Sequence, residues 1–334
     1  MKNKNLQELI VVLGPTASGK TDLAIKLAKK FNGEIVSADS RQVYKGMDIA
    51  TAKPLSLEFK RINSGFVRIV DNIPHHLIDV VRPNQEFNVV LYKKMATIAI
   101  KDIQKRGKIP FLVGGTGLYI QSIVDNIEFP KISPQKKLRD ELEKESPQEL
   151  FRIYKKLDPQ GAKFIDKNNK RRLIRAIEVS KFAQKAYWQQ RKKGKPLFKV
   201  LEIGIKLSKK ELKERIKKRV EKMFRLGLEK EVGSLVKKYG WGVYPLQTIG
   251  YQEWSPLLDI FSEDLAKKKI LEDKKRTILL LKKLRMKIKQ DIILHTGQFA
   301  KRQMTWFKRD KRITWIKTER EAEKLVRNFL KKEK

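Results

Sequence analysis

Cysteine is absent from the 334-residue sequence, and histidine occurs only three times, as His75, His76 and His295. The absence of cysteine excludes disulfides, thiolate zinc sites and a cysteine nucleophile. So few histidines argue against a metal site built from several of them. We assign the adjacent pair His75–His76 no role beyond local packing or capping.

Long apolar runs are also missing. No stretch approaches the roughly 18 consecutive apolar residues of a membrane span. The N-terminal run at 9–13 is too short for the apolar region of a signal peptide, and no small-residue cleavage site follows it. We therefore expect a cytoplasmic protein that has no membrane partner.

Acidic residues are few compared with basic ones. Asp and Glu number 38 against 77 Lys and Arg, which gives a formal net charge of +39. A field of this size attracts polyanions over long distances. Lysine accounts for most of the excess, so part of the charge can serve solubility alone. Nucleic acid is still the macromolecular partner that the charge favours.

Short apolar runs alternate with helical patterns in the first third of the chain. Residues 9–13, 34–38 and 109–113 read as buried strands, and 21–31 and 88–106 have helical periodicity. This order predicts an α/β fold with a parallel sheet flanked by crossover helices. Such sheets bind ligands beyond the carboxyl ends of their strands. The predicted strands lead there into Gly14, Asp39 and Gly114.

The pattern changes after residue 125. Prolines separate short helical stretches between 126 and 198, which predicts a helical insertion domain. The catalytic core is then predicted to comprise 1–125 and 199–334. Its second part is expected to hold strands at 199–205 and 312–316 and helical regions at 208–240, 262–291 and 319–332. The predicted apolar face of the region 262–291 consists of Leu279, Leu280, Leu281 and Leu284.

The first predicted strand runs into a sequence of the form G-x-x-x-x-G-K-[ST]. Its glycines allow backbone N–H groups to surround phosphate oxygens, its lysine adds a charge, and its last hydroxyl is placed to ligate Mg²⁺. A glycine-rich turn without a ligand is the alternative, but the strand before it and the helix after it favour phosphate binding. The motif residues are Gly14, Pro15, Thr16, Ala17, Ser18, Gly19, Lys20 and Thr21.

The motif predicts a P-loop NTPase-like fold that binds a diphosphate or triphosphate, as ATP-binding proteins do, without predicting hydrolysis. NTPases usually hold Mg²⁺ through an Asp at the end of an apolar strand. The strand 109–113 ends in Gly114-Gly115 instead, and the segment Leu77-Ile78-Asp79 is a weaker match. The missing Asp at the end of this strand disfavours a motor ATPase. A small-molecule kinase remains an alternative.

Polar residues at the same predicted rim are candidates for chemistry. Asp39 directly follows the second predicted strand, where it can act as a general base or cap the next turn. Thr116 lies in the run 114–117, where it can approach a ligand or occupy a tight turn. Arg41 and Gln42, beside Asp39, can hydrogen-bond a base edge or a phosphate.

Two basic stretches suit nucleic acid. Arg171 and Arg175 are four residues apart on one predicted helical face, a spacing that suits neighbouring phosphates and equally a solvated surface. Residues 298–309 interleave aromatic and basic side chains, as nucleic-acid sites do. The alternative is a helix whose aromatic residues belong to the core. Those residues are Phe299, Trp306 and Phe307.

Seven motifs in order resemble the bacterial tRNA dimethylallyltransferase family, also called tRNA isopentenyltransferases. They span most of the chain and read GPTASGKT (14–21), DSRQVYKGMDIATAKP (39–54), HHLIDV (75–80), LVGGTGLY (112–119), RRLIRAIEV (171–179), IGYQE (249–253) and AKRQMTW (300–306). Ala50 stands where the family usually has glycine. The zinc finger of eukaryotic relatives is absent because the chain has no cysteine.

The resemblance implies that dimethylallyl diphosphate donates its prenyl group to N6 of adenosine 37 in tRNA, 3′-adjacent to the anticodon. It implies Mg²⁺ with Thr21 as a ligand, diphosphate on the phosphate loop, Asp39 as general base and Thr116 beside the acceptor adenine. It also implies a monomer whose insertion binds the anticodon stem-loop. The tRNA-contacting residues that it implies are Asp39, Ser40, Arg41, Gln42, Thr116, Arg139, Arg171, Arg172, Leu173, Ile174 and Arg175.

Two other functions explain part of the sequence. A small-molecule kinase shares the phosphate loop and the sheet, but it gives no reason for the +39 charge or for the stretch 298–309. A non-catalytic RNA-binding protein with a phosphate loop leaves Asp39 and Thr116 without a role.

Overall fold

A computed structural model describes residues 6–331, except 55, 57, 64, 131, 184–191 and 258–273. The chain forms two compact units, one made of Met1–Ile120 with Phe198–Lys334 and the other of Gln121–Leu197. The insertion predicted at 126–198 thus corresponds to a unit that begins a few residues earlier. Within the described residues no helix is both long enough and apolar enough to cross a membrane.

Strands and helices alternate along the first part of the chain. The strands are β1 (Glu8–Leu13), β2 (Gly33–Ala38), β3 (Phe59–Ile62), β4 (Gly65–Val70), β5 (Ile73–His76), β6 (Ile109–Gly114), β7 (Ile127–Glu128), β8 (Lys192–Lys193), β9 (Lys199–Ile205) and β10 (Thr314–Ile316). The helices are α1 (Lys20–Lys30), α2 (Val89–Lys105), α3 (Gly117–Val124), α4 (Lys136–Leu142), α5 (Pro147–Leu157), α6 (Lys170–Phe182), α7 (Lys209–Arg225), α8 (Leu228–Tyr239), α9 (Lys274–Phe307) and α10 (Glu319–Lys331).

Eight strands form the main sheet, in the order β10-β9-β1-β6-β2-β5-β4-β3. The first six of these run parallel, and β4 and β3 complete one edge as antiparallel strands. Residues 9–13 are fully buried, as expected for a strand that lies between neighbours and has both faces covered. The predicted α/β fold with a mostly parallel sheet is therefore confirmed. All five predicted strands belong to this sheet.

The antiparallel edge was not predicted from the sequence. β3 is almost wholly exposed and carries two charges, and β5 reads Ile-Pro-His-His. Neither segment has the apolar run or the alternation that identifies a strand. β3 pairs with β4, whose Val67 and Ile69 are buried. β5 pairs with β4 on one side and in parallel with β2 on the other.

Two predicted helical regions differ in detail from the structure. The region 208–240 is two helices, because Gly227 has a φ of 91° and ends α7 before α8 begins. In the region 262–291, residues 262–273 lie outside the described residues. The predicted leucine face is wrong in part, because Leu279 and Leu280 are each 53% exposed. Leu281 and Leu284 do pack against the core, since a helix cannot turn four such closely spaced side chains to one side.

Helices α7, α8 and α9 pack against the loop that follows β2. Met47 of this loop is buried with Val220 of α7 and Ile292 of α9. Glu231 of α8 accepts hydrogen bonds from the backbone N–H of Ile49 at 2.7 Å and of two neighbouring residues. The loop that begins at Asp39 is thus anchored at its far end.

The second unit consists mainly of helices. Helices α5 and α6 begin at the capping side chains of Ser146 and Asn169, which accept hydrogen bonds from backbone N–H groups in the first turn. Helix α4 packs on them. The apolar core of this unit consists of Leu142, Leu150, Tyr154, Ala162, Leu173, Ile174, Ala176 and Ile177.

Candidate active site

The phosphate-loop motif connects β1 to α1, as its sequence predicts. Gly19 adopts a left-handed conformation with φ of 84°, immediately before the helix begins at Lys20. A Cβ on Gly14 would lie 2.9 Å from Ser18 Oγ, so the loop closes tightly on itself. The Ser18 hydroxyl is enclosed and forms no hydrogen bond within the described part of the chain. The first N–H groups of α1 lack helical partners, which makes this turn suited to phosphate.

Two cations lie close to Asp39 at the start of α1. Burial lowers the pKa of the Lys20 ammonium from 10.5 to about 8; the Arg219 charge adds to this effect, and the Asp39 carboxylate opposes it. Burial also lowers the pKa of the Arg219 guanidinium, again opposed by Asp39. Both cations therefore lie in a buried environment that disfavours their charged forms. An anion bound between them would stabilise their charged forms.

Arg219 was missed by sequence reasoning. It belongs to helix α7, which is basic along most of its length, and nothing in its spacing separates it from the other basic residues there. In the structure its Nε is enclosed and has no hydrogen-bond partner among the described residues. Arg215, one turn earlier, donates from Nη1 to the backbone oxygen of Ser18 at 3.3 Å and so ties α7 to the phosphate loop.

Asp39 caps the turn that it begins. Its Oδ1 accepts hydrogen bonds from the backbone N–H of Arg41 at 2.8 Å and of Gln42 at 3.3 Å. The capping interpretation is therefore part of the structure. Both bonds go to one carboxylate oxygen, so the turn does not need Oδ2. The two interpretations of Asp39 are compatible, because one oxygen can hold the turn while the other serves chemistry.

Thr116 lies against the Asp39 turn. Its Oγ1 accepts a hydrogen bond from the Ser40 N–H at 3.0 Å, and its own N–H donates to Ala38 O at 3.2 Å. A Cβ on Gly114 would lie 2.1 Å from Ala38 O, so glycine is required for this approach. The loops that follow β2 and β6 therefore meet, as their positions at neighbouring strand ends predict.

Arg41 and Gln42 hold loops together in the structure. The Arg41 guanidinium donates to Thr248 Oγ1 and to the Tyr244 hydroxyl, each at 3.2 Å. The Gln42 amide donates to the backbone oxygen of Thr51 at 3.3 Å. A contact between these two residues and tRNA stays a prediction.

Asp79, the weaker candidate for a magnesium carboxylate, is already paired. One of its oxygens accepts from the fully buried ammonium of Lys53 at 2.6 Å, and the other accepts from Arg68 at 2.5 Å. A buried carboxylate with two cationic partners has a structural role, because removing any one partner leaves an uncompensated charge.

The position of Gly250 explains why alanine is accommodated at position 50. Gly250 has a φ of 94°, and a Cβ on it would lie only 2.8 Å from the Ala50 Cβ. Ala50 has no positive φ, and it donates its N–H to Glu231 at 3.2 Å. The methyl group of Ala50 thus occupies the space that Gly250 leaves.

Comparison with known proteins decides the family. The IPP transferase family profile matches residues 42–310. A tRNA dimethylallyltransferase of Carboxydothermus hydrogenoformans is 39% identical over 97% of this chain and 96% of its own length. One of Staphylococcus aureus is 39% identical over 95% of this chain and 94% of its own.

The chain belongs to the IPP transferase family. Solved structures agree with this. A tRNA isopentenylpyrophosphate transferase of Bacillus halodurans has a TM-score of 0.66 and 32% identity, and the match covers 97% of each chain. A eukaryotic dimethylallyltransferase acting on tRNA has a TM-score of 0.68 and 29% identity, covering 90% of this chain and 69% of its own.

Six residues implied to contact tRNA lie in the insertion of this family member. Leu173 and Ile174 are buried in the core of that unit. Their side chains therefore do not reach solvent, and a contact of their backbone with tRNA stays a prediction. The carboxylate of the buried Glu178 binds both Arg139, at 2.8 Å to Nε and Nη2, and Arg175. Their contact with phosphate stays a prediction, as does that of the exposed Arg171 and Arg172.

The stretch 298–309 of the IPP transferase chain is the end of helix α9, and its aromatic residues divide between two roles. Phe307 is buried, as the core interpretation holds, while Phe299 is 37% exposed. Trp306 lies against α3, where a Cβ on Gly117 would be 2.4 Å from its ring. The remaining side of this helix end is basic. Trp306 and its neighbours Lys301, Arg302, Thr305 and Arg309 line a shallow pocket.

Proposed function

We propose that this chain transfers a dimethylallyl group from dimethylallyl diphosphate to N6 of adenosine 37 in tRNA, giving N6-isopentenyladenosine and diphosphate. The relatives named for this reaction support the proposal. The observation that carries it is the grouping of Asp39 with Lys20 and Arg219 at one rim. The carboxylate can accept a proton, and the two buried cations beside it can bind the diphosphate that leaves.

The donor diphosphate binds to the phosphate loop of a P-loop NTPase-like core. Lys20 and Arg219 supply charge, and the N-terminus of α1 supplies backbone donors. The positive charge matters more as the C–O bond breaks, because the leaving diphosphate gains negative charge in the transition state. The enclosed Ser18 hydroxyl gains a hydrogen-bond partner when the diphosphate enters.

Magnesium fits this site as an ion held mainly by the donor. Among the described residues there is no cluster of three or more Asp, Glu, His or Cys side chains that would hold a metal by themselves. Mg²⁺ commonly keeps several waters and binds through substrate phosphates with few protein ligands. The Thr21 hydroxyl in the first turn of α1 is the ligand that we propose. The ion neutralises charge on the diphosphate when it is bound.

Asp39 accepts the proton of the acceptor amine. N6 of adenine attacks the allylic carbon, the C–O bond to the diphosphate breaks with its electron pair, and the proton leaves N6 for the Asp39 carboxylate. Thr116, bonded to the Asp39 turn, positions the adenine. The base must leave its stack to reach this rim, as in other enzymes that modify bases.

The basic surfaces bind the anticodon stem-loop. The +39 charge supplies long-range attraction. We propose that the basic end of α9 and the exposed arginines of the insertion contact phosphates, and that Trp306 contacts a base. The enzyme acts as a monomer.

A transfer assay tests the proposed reaction. The protein is incubated with unmodified tRNA and either dimethylallyl diphosphate labelled in the prenyl group or ATP labelled in the γ-phosphate. Label moves from the prenyl donor to tRNA, and none moves from ATP to tRNA or to a small acceptor. Transfer of phosphate without transfer of prenyl would identify a kinase instead.

The Lys20 charge predicts a pH dependence. Since the pKa of Lys20 is lowered to about 8, the free enzyme loses this charge as the pH rises through that value. The kcat/KM for the donor therefore falls above about pH 8, approaching tenfold per pH unit, because this parameter reports ionisations of the free enzyme. The measurement is initial rate against donor concentration from pH 6.5 to 9.5. Binding of the stem-loop over the same range is the control, and a flat donor profile would contradict the assignment.

The exposed arginines of α6 predict a salt dependence. If Arg171 and Arg172 each contact one phosphate, each alanine variant lowers the slope of log K against log salt by about 0.7–0.9. Binding of an anticodon stem-loop is measured between 50 and about 300 mM salt. Lys181→Ala, exposed at the end of the same helix, is the matched control and keeps the wild-type slope. Unchanged slopes in both arginine variants would show a solvated face.

A further inference from the structure

Gln303 of helix α9 bridges the two loops of the candidate active site. Its Oε1 accepts a hydrogen bond from the Thr16 N–H in the phosphate loop at 2.8 Å. Its Nε2 donates to the backbone oxygen of Gly115, beside Thr116, at 2.8 Å. The residue is only 7% exposed. One buried amide thus pairs with a backbone group in each of the two loops.

The bridge is specific for glutamine. It needs an acceptor on one side and a donor on the other, which only an amide provides among side chains of this length. The loop is also shaped to receive it, because a Cβ on Gly115 would lie 2.3 Å from Nε2. Both partners are buried backbone groups, so losing the amide leaves two unsatisfied polar groups at a cost of about 1–3 kcal/mol each.

The helix that carries Gln303 presents other groups to solvent. Lys301, Arg302, Thr305 and Arg309 of the same turns line the shallow pocket with Trp306. Trp306 also touches α3 at Gly117, directly after Thr116. The end of α9 therefore contacts both loops on one side and carries a basic, aromatic surface on the other.

We propose that Gln303 is a positioning residue that couples tRNA binding at the end of α9 to the geometry of the phosphate loop. The proposal rests on the proposed function, because it takes tRNA as the ligand of that basic surface. The Gln303 amide already joins Thr16 and Gly115. A tRNA bound to the other side of the same helix turns restrains the residue that makes this bridge. Donor and tRNA then bind more tightly together than alone, and the coupling is the same in both directions.

The coupling is measured by binding alone. The affinity for a non-hydrolysable dimethylallyl diphosphate analogue is determined with and without a saturating anticodon stem-loop. We expect the stem-loop to raise the affinity of the wild-type protein about 5- to 150-fold, the usual range for coupled sites. Gln303→Met keeps the length and apolar bulk of the side chain but removes both hydrogen bonds, so the ratio falls to about one. Gln290→Met, exposed on the same helix but outside the stretch 298–309, is the matched control and keeps the wild-type ratio.

Gln303→Glu provides a second variant in case the methionine variant does not fold. Its carboxylate still accepts from the Thr16 N–H, but it cannot donate to Gly115, so only one half of the bridge remains. We expect the ratio to fall in this variant too. The new carboxylate lies against the phosphate loop and repels the donor with and without RNA, so the ratio of the two affinities is what is compared with wild type.

Three results would overturn the proposal: no coupling in the wild-type protein, full coupling in either variant, or an equal loss of affinity with and without RNA. The last result is what a purely structural role of Gln303 predicts. Failure of the proposed function would be seen separately, as an absence of prenyl transfer by the wild-type enzyme.

Discussion

Replacing Asp39 with asparagine lowers single-turnover prenylation of tRNA by about 10²–10⁴-fold, the usual loss for a positioned general base. The amide has nearly the shape of the carboxylate but cannot take a full proton from N6. Its Oδ1 can still accept from the N–H groups of Arg41 and Gln42, which now bind the Asp39 carboxylate. The turn is therefore preserved and the chemistry is lost. Rapid-quench measurement of prenyl transfer at saturating substrates gives the rate.

Two comparisons separate catalysis from structure at this position. Asp39→Asn keeps the wild-type thermal stability and donor affinity, whereas Asp39→Ala also loses the cap and with it about 0.5–2 kcal/mol of stability. Asp22→Asn, an exposed carboxylate in the first turn of α1, controls for the loss of one negative charge near the phosphate loop. A prenylation rate for Asp39→Asn within a few-fold of wild type would limit Asp39 to the capping role.

Replacing Lys20 with alanine lowers turnover by about 10²–10³-fold, as expected when one preorganised charge is removed from a developing anion. The effect on the reaction step exceeds the effect on donor binding, because the leaving diphosphate carries more charge in the transition state than in the bound donor. The side chain makes one hydrogen bond to the loop, from Nζ to Pro15 O at 3.1 Å. The loss of that bond alone does not explain a change of this size.

The controls for Lys20 come from its own helix and from the second substrate. Lys26→Ala removes an exposed lysine of α1 that pairs with Glu319, and it leaves turnover unchanged. Binding of the anticodon stem-loop is the same for Lys20→Ala and wild type, since the lysine does not face RNA in the proposed arrangement. Near-normal turnover in Lys20→Ala would exclude the phosphate loop as the donor site.

The sequence predicts those parts of the fold that a short stretch of residues identifies by itself. The apolar runs at 9–13 and 109–113 indicate central strands, because both faces of such strands are apolar. The phosphate loop is fixed by residue types at set spacings. Strands β3 and β5 have no such pattern, since their pairing partners and not their own composition make them strands.

The site was predicted incompletely for a similar reason. Asp39 and Thr116 were found because each follows a strand end, where residues distant in sequence must meet. Arg219 could not be separated from the other basic residues of α7, because only its enclosure beside Lys20 and Asp39 distinguishes it. The pairing of Arg139 and Arg175 with Glu178 likewise depends on a buried carboxylate whose burial has no local signal.

The short pairing of β7 with β8 joins the two ends of the insertion. Ile127 faces Lys193 and Glu128 faces Lys192 in this ladder, and Asn126 Nδ2 donates to Lys195 O at 2.9 Å. Strands paired in this way lie about 5 Å apart, so the first and last residues of the insertion are close together. Lengthening or shortening such a segment adds little loop-closure entropy. The insertion can therefore change in size during evolution while the phosphate loop and its rim stay as they are.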